Sequence, residues 1–368
     1  MKNYSFTDKK NKIAIDAFWL KRNRGMSKYA KNLLNVIDSN TILLDPKNQF
    51  KSNFFNFFLS NQVFWEQIYL PVICRIKNID LLICPYNTRP IVRFHGTRVV
   101  AVVHDLIFMN NKFILNNQLK NSLGNIYRNI IFRLNARVNK SDSIITVSYS
   151  SQKALKSYFG QTYECVVFPN TISVNWIYKK RRIALDYILC VTGASSHKNL
   201  NLLIDAFSML NKRHKTKLYI VGLKLDEVIK TLKNKTSKID NNKISFLSGV
   251  SENKLIDLYV KSKFLIFPSL EEGFGIPLIE ALATRTPILC SDIEVFREIA
   301  GKNAIYFNPN NVLSIKNKIE YALTNPLVLK KLEKKSHSFI GNYSMAKYSD
   351  LIKNYFEGMV NEDSNDYA

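Results

Sequence analysis

The sequence contains few of the residues that interrupt regular structure or cross-link a chain. Among 368 residues there are 12 glycines, 10 prolines and 5 cysteines. The cysteines are odd in number, scattered and never spaced as CxxC, so neither a disulfide framework nor a zinc site is expected. Apolar residues make up 46% of the chain, which is enough to bury hydrophobic cores. Composition therefore excludes the fibrous and disordered classes, and the length suits about two domains.

Long apolar runs are also missing, and acidic residues are scarce in the first half. No apolar run reaches the roughly 18 residues of a membrane-spanning helix, and the segment MKNYSFTDKKNK lacks the apolar core of a signal peptide. These absences predict a cytoplasmic protein. Residues 1–182 carry 28 basic and 9 acidic side chains, a net of +19, against 25 and 20 in residues 183–368. This excess fits either a general Lys-rich bias or a surface for nucleic acid, anionic lipid or phosphorylated substrates.

The spacing of apolar residues predicts an α/β protein with two doubly wound domains. Short buried strands, such as residues 99–103, alternate with helical patterns, including predicted helices around 117–138 and over 225–232. Such alternation favours parallel sheets with right-handed crossovers. The alternation stops at a polar, basic segment over residues 170–183 and then restarts. We predict domains over residues 1–175 and 183–343, then a helix and polar tail over 344–368 that packs back on the first domain.

Residues 264–290 combine a predicted buried strand, a glycine-containing loop and the start of a helix. Pro277 suits the first helical turn, where its missing N–H is harmless. Gly273 and Gly275 let the backbone approach a ligand closely, and the free amides of a helix start favour an anion such as a diphosphate. Since ligands of doubly wound sheets bind at the carboxyl ends of strands, this loop is a candidate wall of an interdomain site.

Three carboxylates accompany that predicted anion site. Glu272 and Glu280 flank it, and because like charges repel, they suit sugar and ribose hydroxyls rather than the diphosphate itself. Glu271 has no assigned task and serves as an internal comparison. Spacing alone leaves open the alternative of a structural joint with solvated glutamates.

Residues 269–283, SLEEGFGIPLIEALA, resemble the Glu-x7-Glu signature of the retaining GT-B glycosyltransferases of family 4. The resemblance continues through residues 246–255, 286–291, 300–304 and 308–309. It implies a GT-B architecture, in which two Rossmann-like domains face each other across a cleft, and transfer of a hexose from a nucleotide-sugar. In the family, the residue matching Glu272 contacts the donor sugar and the residue matching Glu280 contacts the ribose. The amides of Gly273, Phe274 and Gly275 then lie near the sugar and phosphate.

Two further loops resemble the family. Residues 191–200 resemble its phosphate loop, with Gly193 at the strand end and Lys198 and Asn199 opening a helix; Ala194 stands where many members carry Arg. A lysine there stabilises the charge of the departing diphosphate. His104, after the strand over residues 99–103, resembles the family histidine that contacts the donor sugar. A structural role is the alternative for both side chains.

Motifs of the first half are matched more loosely. Gly25, in residues 24–27 (RGMS), resembles the glycine loop that opens toward diphosphate and acceptor. Residues 65–67 (WEQ) and 84–87 (CPYN) resemble a mannosyltransferase-like branch, which favours GDP-mannose among nucleotide-sugar donors. The implied acceptor is a glycan or polyprenyl-diphosphate-linked oligosaccharide in surface polysaccharide (O-antigen or capsule) synthesis. The basic first half would then dock on anionic lipid at the inner face of the cytoplasmic membrane.

Several motifs that are typical of other protein classes are missing from the sequence. The sequence has no DxD motif, so no metal and no other cofactor is expected beyond the nucleotide-sugar substrate. No GxGxxG follows a predicted strand, which counts against a nicotinamide-dependent enzyme. Dispersed basic residues without a recognised motif count against a nucleic-acid partner, although that alternative rests on charge. An inactive sugar-nucleotide-binding protein is the remaining alternative, because of Ala194.

Overall fold

The structure is a computed structural model, and it describes residues 12–21, 25–37, 40–46, 61–92, 96–107, 143–162, 164–177, 184–211, 213–223 and 242–361. The predicted helices around 117–138 and over 225–232 lie outside these residues. Within them, no helix is both long and apolar enough to cross a membrane.

The first half of the chain forms a parallel sheet. Its six described strands are β1 (Ile13–Asp16), β2 (Ile42–Leu44), β3 (Leu81–Cys84), β4 (Arg98–Val103), β5 (Ser143–Thr146) and β6 (Val166–Val167). They are arranged in the order β2-β1-β3-β4-β5-β6, and each pairs in parallel with its neighbours. The central strands β3 and β4 are almost wholly buried, as expected for β-branched and leucine runs covered on both faces.

The second half repeats this plan. Its six described strands are β7 (Tyr187–Val191), β8 (Lys217–Val221), β9 (Ile244–Leu247), β10 (Leu265–Phe267), β11 (Ile288–Ser291) and β12 (Ala304–Phe307). Their order is β12-β11-β10-β7-β8-β9, again with parallel pairing. The change of winding direction at β7 and β10 brings the loops after both strands to one edge. The predicted α/β class with two doubly wound sheets is therefore confirmed, while the predicted domain boundaries stay predictions.

Helices cover the faces of both sheets. The first half contributes α1 (Gly25–Leu34), a helical turn (Gln62–Phe64) that runs through a π-helix (Trp65–Tyr69) into α2 (Leu70–Lys77), α3 (Tyr149–Phe159) and α4 (Val174–Ile177). The second half contributes α5 (Leu200–Ser208), α6 (Glu252–Lys261), α7 (Ile276–Ala283), α8 (Glu294–Ala300), α9 (Val312–Thr324), α10 (Pro326–Ile340) and α11 (Met345–Asn361). Side-chain N-caps account for the starts of three helices: Ser148, Ser251 and Asn311 cap α3, α6 and α9.

The last helix, α11, returns to the first sheet. The guanidinium Nη1 of Arg98, at the start of β4, donates to the carbonyl oxygen of Met359 at 2.6 Å. The hydroxyl of Tyr355 bonds that of Ser143 in β5, and the Tyr355 ring lies edge-on to Phe168 with centroids 5.3 Å apart. Phe356 is buried in the same core. Because α11 follows the second sheet in sequence but packs on the first, it ties the two halves together.

Candidate active site

The loop after β10 touches the loop after β4, which belongs to the other sheet. A Cβ atom built on Gly273 would lie 1.7 Å from the carbonyl oxygen of His104 and 2.8 Å from Cβ of Asp105. The hydroxyls of Ser148 and Ser151 donate to the carbonyl oxygen of Gly273 at 2.7 and 3.0 Å. Only glycine permits this approach, so the loop holding Gly273 and the loop holding His104 form one continuous wall.

Lys198 and Glu272 meet beside this wall. The ammonium Nζ of Lys198 is 2.5 Å from Oε1 of Glu272, and the hydroxyl of Ser269 donates to the same oxygen at 2.7 Å. Side-chain exposure is 22% for Lys198 and 11% for Glu272. The two predicted catalytic side chains are therefore brought together as a partly desolvated ion pair that ligand hydroxyls and phosphates can reach.

Asn199 holds the turn that presents Lys198. Its backbone is left-handed, with φ of 57°, a conformation that asparagine tolerates better than most residues. Its side-chain amide donates to the carbonyl oxygens of Pro268 and Pro309 at 3.2 and 2.7 Å. The amide group thus joins three loops, while the space in front of Gly193 is open: no described atom lies within 4 Å of a Cβ built there.

His104 is buried and neutral. Its ring Nε2 lies 2.9 Å from the carbonyl oxygen of Pro85, which places the ring proton on Nε2 and leaves Nδ1 as an acceptor. The side-chain oxygen of Asn87 accepts from the His104 amide at 2.6 Å, and Tyr29 packs edge-on against the ring. Burial lowers the pKa of His104 to about 4, so the ring carries no charge at neutral pH.

The pKa of Asp105, the next residue, is shifted in the opposite direction. Burial, reinforced by the nearby carboxylate of Glu272, raises the pKa of Asp105 to about 6, although the amide of Ile107 donates to it. Burial next to the cation of Lys198 lowers the pKa of His197 to about 4. All three pKa shifts favour the uncharged form of the side chain, because burial removes its charged form from water.

Glu280 lies one helical turn into α7 with only 2% of its side chain exposed. Tyr259 donates its hydroxyl to Oε2 at 2.8 Å, and the ammonium of Lys28 is 2.6 Å from Oε1. Lys28 belongs to α1 and so comes from the first sheet's side of the cleft. Sequence reasoning identified neither partner, because 252 residues separate Lys28 from Glu280; the only local signal was its position three residues after Gly25.

The remaining predicted residues shape the backbone. Gly25 begins α1, where a Cβ would lie 3.1 Å from Cδ1 of Ile276. Gly275 caps α7 with φ of 113°, which disfavours any L side chain. The Phe274 ring is buried edge-on to Tyr343, so Phe274 faces the cleft only through its main chain. The geometry thus places all ten predicted residues, while their roles toward a ligand stay predictions.

Within the described residues, no group of three or more His, Cys, Asp or Glu side chains is placed to hold a metal ion. The polar groups that converge on the cleft are instead hydroxyls, two carboxylates, two ammonium groups and a neutral imidazole. This set suits a polyhydroxylated ligand that carries phosphate.

Two doubly wound sheets, with a wall of strand-end loops between them, have the architecture of the GT-B glycosyltransferases. In the comparison with known proteins, the sequence profile described as Glycosyl transferases group 1 matches residues 179–340. The chain is therefore a glycosyltransferase, and the resemblance identified from residues 269–283 is confirmed.

The individual relatives have low sequence identity to this chain. The O-antigen chain mannosyltransferase RfbU of Salmonella typhimurium is 26% identical, over 78% of this chain and 76% of the relative. The serotype-specific mannosyltransferase WbdA of Escherichia coli is 24% identical over 72% of this chain, which spans about a third (34%) of that relative.

Solved structures show the same fold. The glycosyltransferase WaaG, involved in lipopolysaccharide biosynthesis, matches with a TM-score of 0.72 and 14% identity, over 92% of this chain and 99% of WaaG. Anabaena HepE in complex with UDP-glucose also gives a TM-score of 0.72 with 14% identity, over 94% and 99% of the two chains. At this identity the likeness concerns the fold.

Proposed function

We propose that this glycosyltransferase moves mannose from GDP-mannose onto a glycan or polyprenyl-diphosphate-linked acceptor during O-antigen or capsule assembly. The names of RfbU and WbdA both support mannose, and the name of RfbU supports O-antigen. The observation that carries the proposal is the ion pair between Lys198 and Glu272, placed at 2.5 Å beside the wall that joins Gly273 to His104.

In this proposal the donor separates that ion pair. Glu272 exchanges Lys198 for hydroxyls of the sugar, and Lys198 turns to the departing diphosphate, where its charge stabilises the transition state. The neutral His104 offers Nδ1 to a sugar hydroxyl, because Nε2 already donates to Pro85. Reaction proceeds with retention, and the donor phosphate helps to deprotonate the acceptor. No metal or other cofactor takes part.

A thermal-shift screen of GDP-, UDP- and dTDP-sugars tests the donor, since a ligand that binds only the folded state raises Tm by mass action. GDP-mannose is expected to give the largest shift. A transfer assay with the stabilising donor follows, with and without EDTA, and NMR of the product reports the anomeric configuration. A larger shift with another nucleotide-sugar refutes the choice of GDP-mannose, and an inverted product refutes retention.

An inactive sugar-nucleotide-binding protein is the second candidate, supported by Ala194 at the position where many relatives carry Arg. It predicts a thermal shift with the donor but no transfer to any acceptor fraction. Nucleic acid is not a proposed partner, and absence of polynucleotide binding at low salt is the corresponding check.

A lipid-linked acceptor would place the enzyme at a membrane surface. We propose that the basic first half, with a net charge of +19 over residues 1–182, holds the enzyme on anionic lipid at the inner face of the cytoplasmic membrane. Co-sedimentation with vesicles measures this: binding is expected to rise with the fraction of anionic lipid and to fall with salt. Equal binding to neutral and anionic vesicles contradicts it.

A further inference from the structure

Lys28 brings a positive charge from the first domain to the cleft. It lies on α1, yet its ammonium is 2.6 Å from Oε1 of Glu280 on α7, in the second domain. The two side chains differ in setting: Glu280 is 2% exposed and Lys28 is 42% exposed. The ring centroid of Trp176 lies 5.6 Å from Nζ of the lysine. A partly exposed cation thus stands over a fixed, buried anion.

The buried carboxylate needs this cation. Tyr259 donates a hydroxyl to Oε2 of Glu280, but a neutral donor does not balance the charge. An ionised carboxylate removed from water is costly unless an opposite charge accompanies it. Ribose hydroxyls are neutral as well, so a nucleotide bound at Glu280 would change the hydrogen bonds and leave the charge requirement unmet.

The packing of the two helix starts brings Lys28 near the predicted diphosphate position. Gly25 at the start of α1 lies against Ile276 at the start of α7, so closely that a Cβ added to Gly25 would be 3.1 Å from Cδ1 of Ile276. Residues three apart share a helix face, so Lys28 sits one turn further along α1 on the side of that contact. An ammonium has three donors, and Glu280 takes one of them.

We propose that Lys28 is a donor-binding residue supplied by the first domain. Before the nucleotide-sugar enters, Lys28 neutralises Glu280; once it has entered, the ammonium contacts the diphosphate while staying close to Glu280. The ligand anion then bridges the two domains through Lys28. This inference rests on the proposed function, and it adds a specific phosphate contact from the side of the cleft opposite Lys198.

Calorimetric titration of Lys28→Met with a nucleoside diphosphate and with its nucleoside tests the inference. GDP and guanosine are the first pair, and UDP and uridine the second. We expect Lys28→Met to weaken diphosphate binding by about 10-fold or more, the scale of one charge-assisted hydrogen bond, and nucleoside binding far less. Lys28→Arg, which keeps the charge, is expected to retain most of the diphosphate affinity.

Lys31→Met is the matched control, because Lys31 lies three residues further on α1 and is exposed. It removes the same charge from the same helix and is expected to leave both affinities unchanged. Equal losses for Lys28→Met and Lys31→Met would show a general charge effect and overturn the inference. Equal losses of nucleoside and diphosphate affinity in Lys28→Met would also overturn it, because Lys28 would then act only on Glu280.

The pair Glu280→Gln and Lys28→Met/Glu280→Gln keeps the experiment decisive if Lys28→Met does not fold. With the buried charge removed, loss of Lys28 no longer strands an anion. The inference expects the double variant to bind diphosphate at least about 10-fold more weakly than Glu280→Gln, and equal affinities refute it. If wild-type protein binds neither diphosphate, the proposed function fails, and the inference fails with it.

Discussion

Glu298 forms a contact between the two domains. It lies on α8 of the second domain, and its two carboxylate oxygens accept the backbone amides of Tyr149 and Ser150 at 2.9 and 2.8 Å. Those amides begin α3 of the first domain, where the helix dipole favours an anion. Ser148 caps the same helix through its hydroxyl, which accepts from Ser151 at 2.9 Å. We predict that Glu298→Ala loosens the contact between the domains.

These contacts set the expected decrease in the free energy of unfolding. Hydrogen bonds to a charged group contribute about 1.5–3 kcal/mol when they are buried, but water can replace part of this at a half-exposed helix start. We therefore expect a loss of about 1–2 kcal/mol, similar to removal of an N-cap. In domains of 150–250 residues, 1 kcal/mol lowers Tm by about 2–4 °C.

Glu294→Ala is the control for this experiment. Glu294 lies on the same helix and pairs with Lys153 at 2.7 Å, but the two side chains are 62% and 72% exposed. Such a pair contributes little, so its removal is expected to leave Tm almost unchanged. Differential scanning calorimetry measures both variants beside wild type. Equal Tm values for Glu298→Ala and Glu294→Ala would refute the assignment of stability to the Glu298 cap.

Three further predictions concern the cleft itself. Gly273→Ala is expected to lower transfer activity by at least about 100-fold, because loops that touch at His104 must separate, and misplaced reacting groups cost rate on this scale; activity like that of wild type contradicts this. Glu272→Gln is expected to abolish most transfer while Tm changes little, and full activity refutes the site. Because burial lowers the pKa of His104 to about 4, its contribution to stability is complete above the unfolded value of about 6.5 and is lost as pH falls toward 4. His104→Gln is therefore expected to flatten the fall in unfolding free energy between pH 6.5 and 4, and an unchanged slope contradicts this.

Local sequence patterns were sufficient to predict most of the strands and helices. β4 and β10 were predicted because their apolar residues form short, uninterrupted runs, as in buried parallel strands. The start of α7 was predicted from Pro277 and Gly275, whose backbone preferences act within a few residues. Loops at the carboxyl ends of strands then had to share one edge of each sheet.

The helices α2, α4 and α8 were not predicted from the sequence, and α2 and α8 show the physical reasons. The segment containing α2 exposes Ile68, Val72 and Ile76, so it lacks the polar face that periodicity depends on. The helix α8 has only seven residues, about two turns, which is too short for a clear period. Its contribution to the interdomain contact, through Glu298, was missed with it.

By itself, the sequence determined the two parallel sheets and the glycine loops, because each depends on neighbours within one strand–loop–helix unit. The candidate residues Glu272, Lys198 and His104 came from the family resemblance of such local segments. Tertiary structure alone decided which groups meet across the cleft. The pairing of Lys28 with Glu280 and the capping of α3 by Glu298 join residues more than 140 positions apart. Such contacts arise from the docking of two folded domains, and no periodicity or local spacing along the chain encodes them.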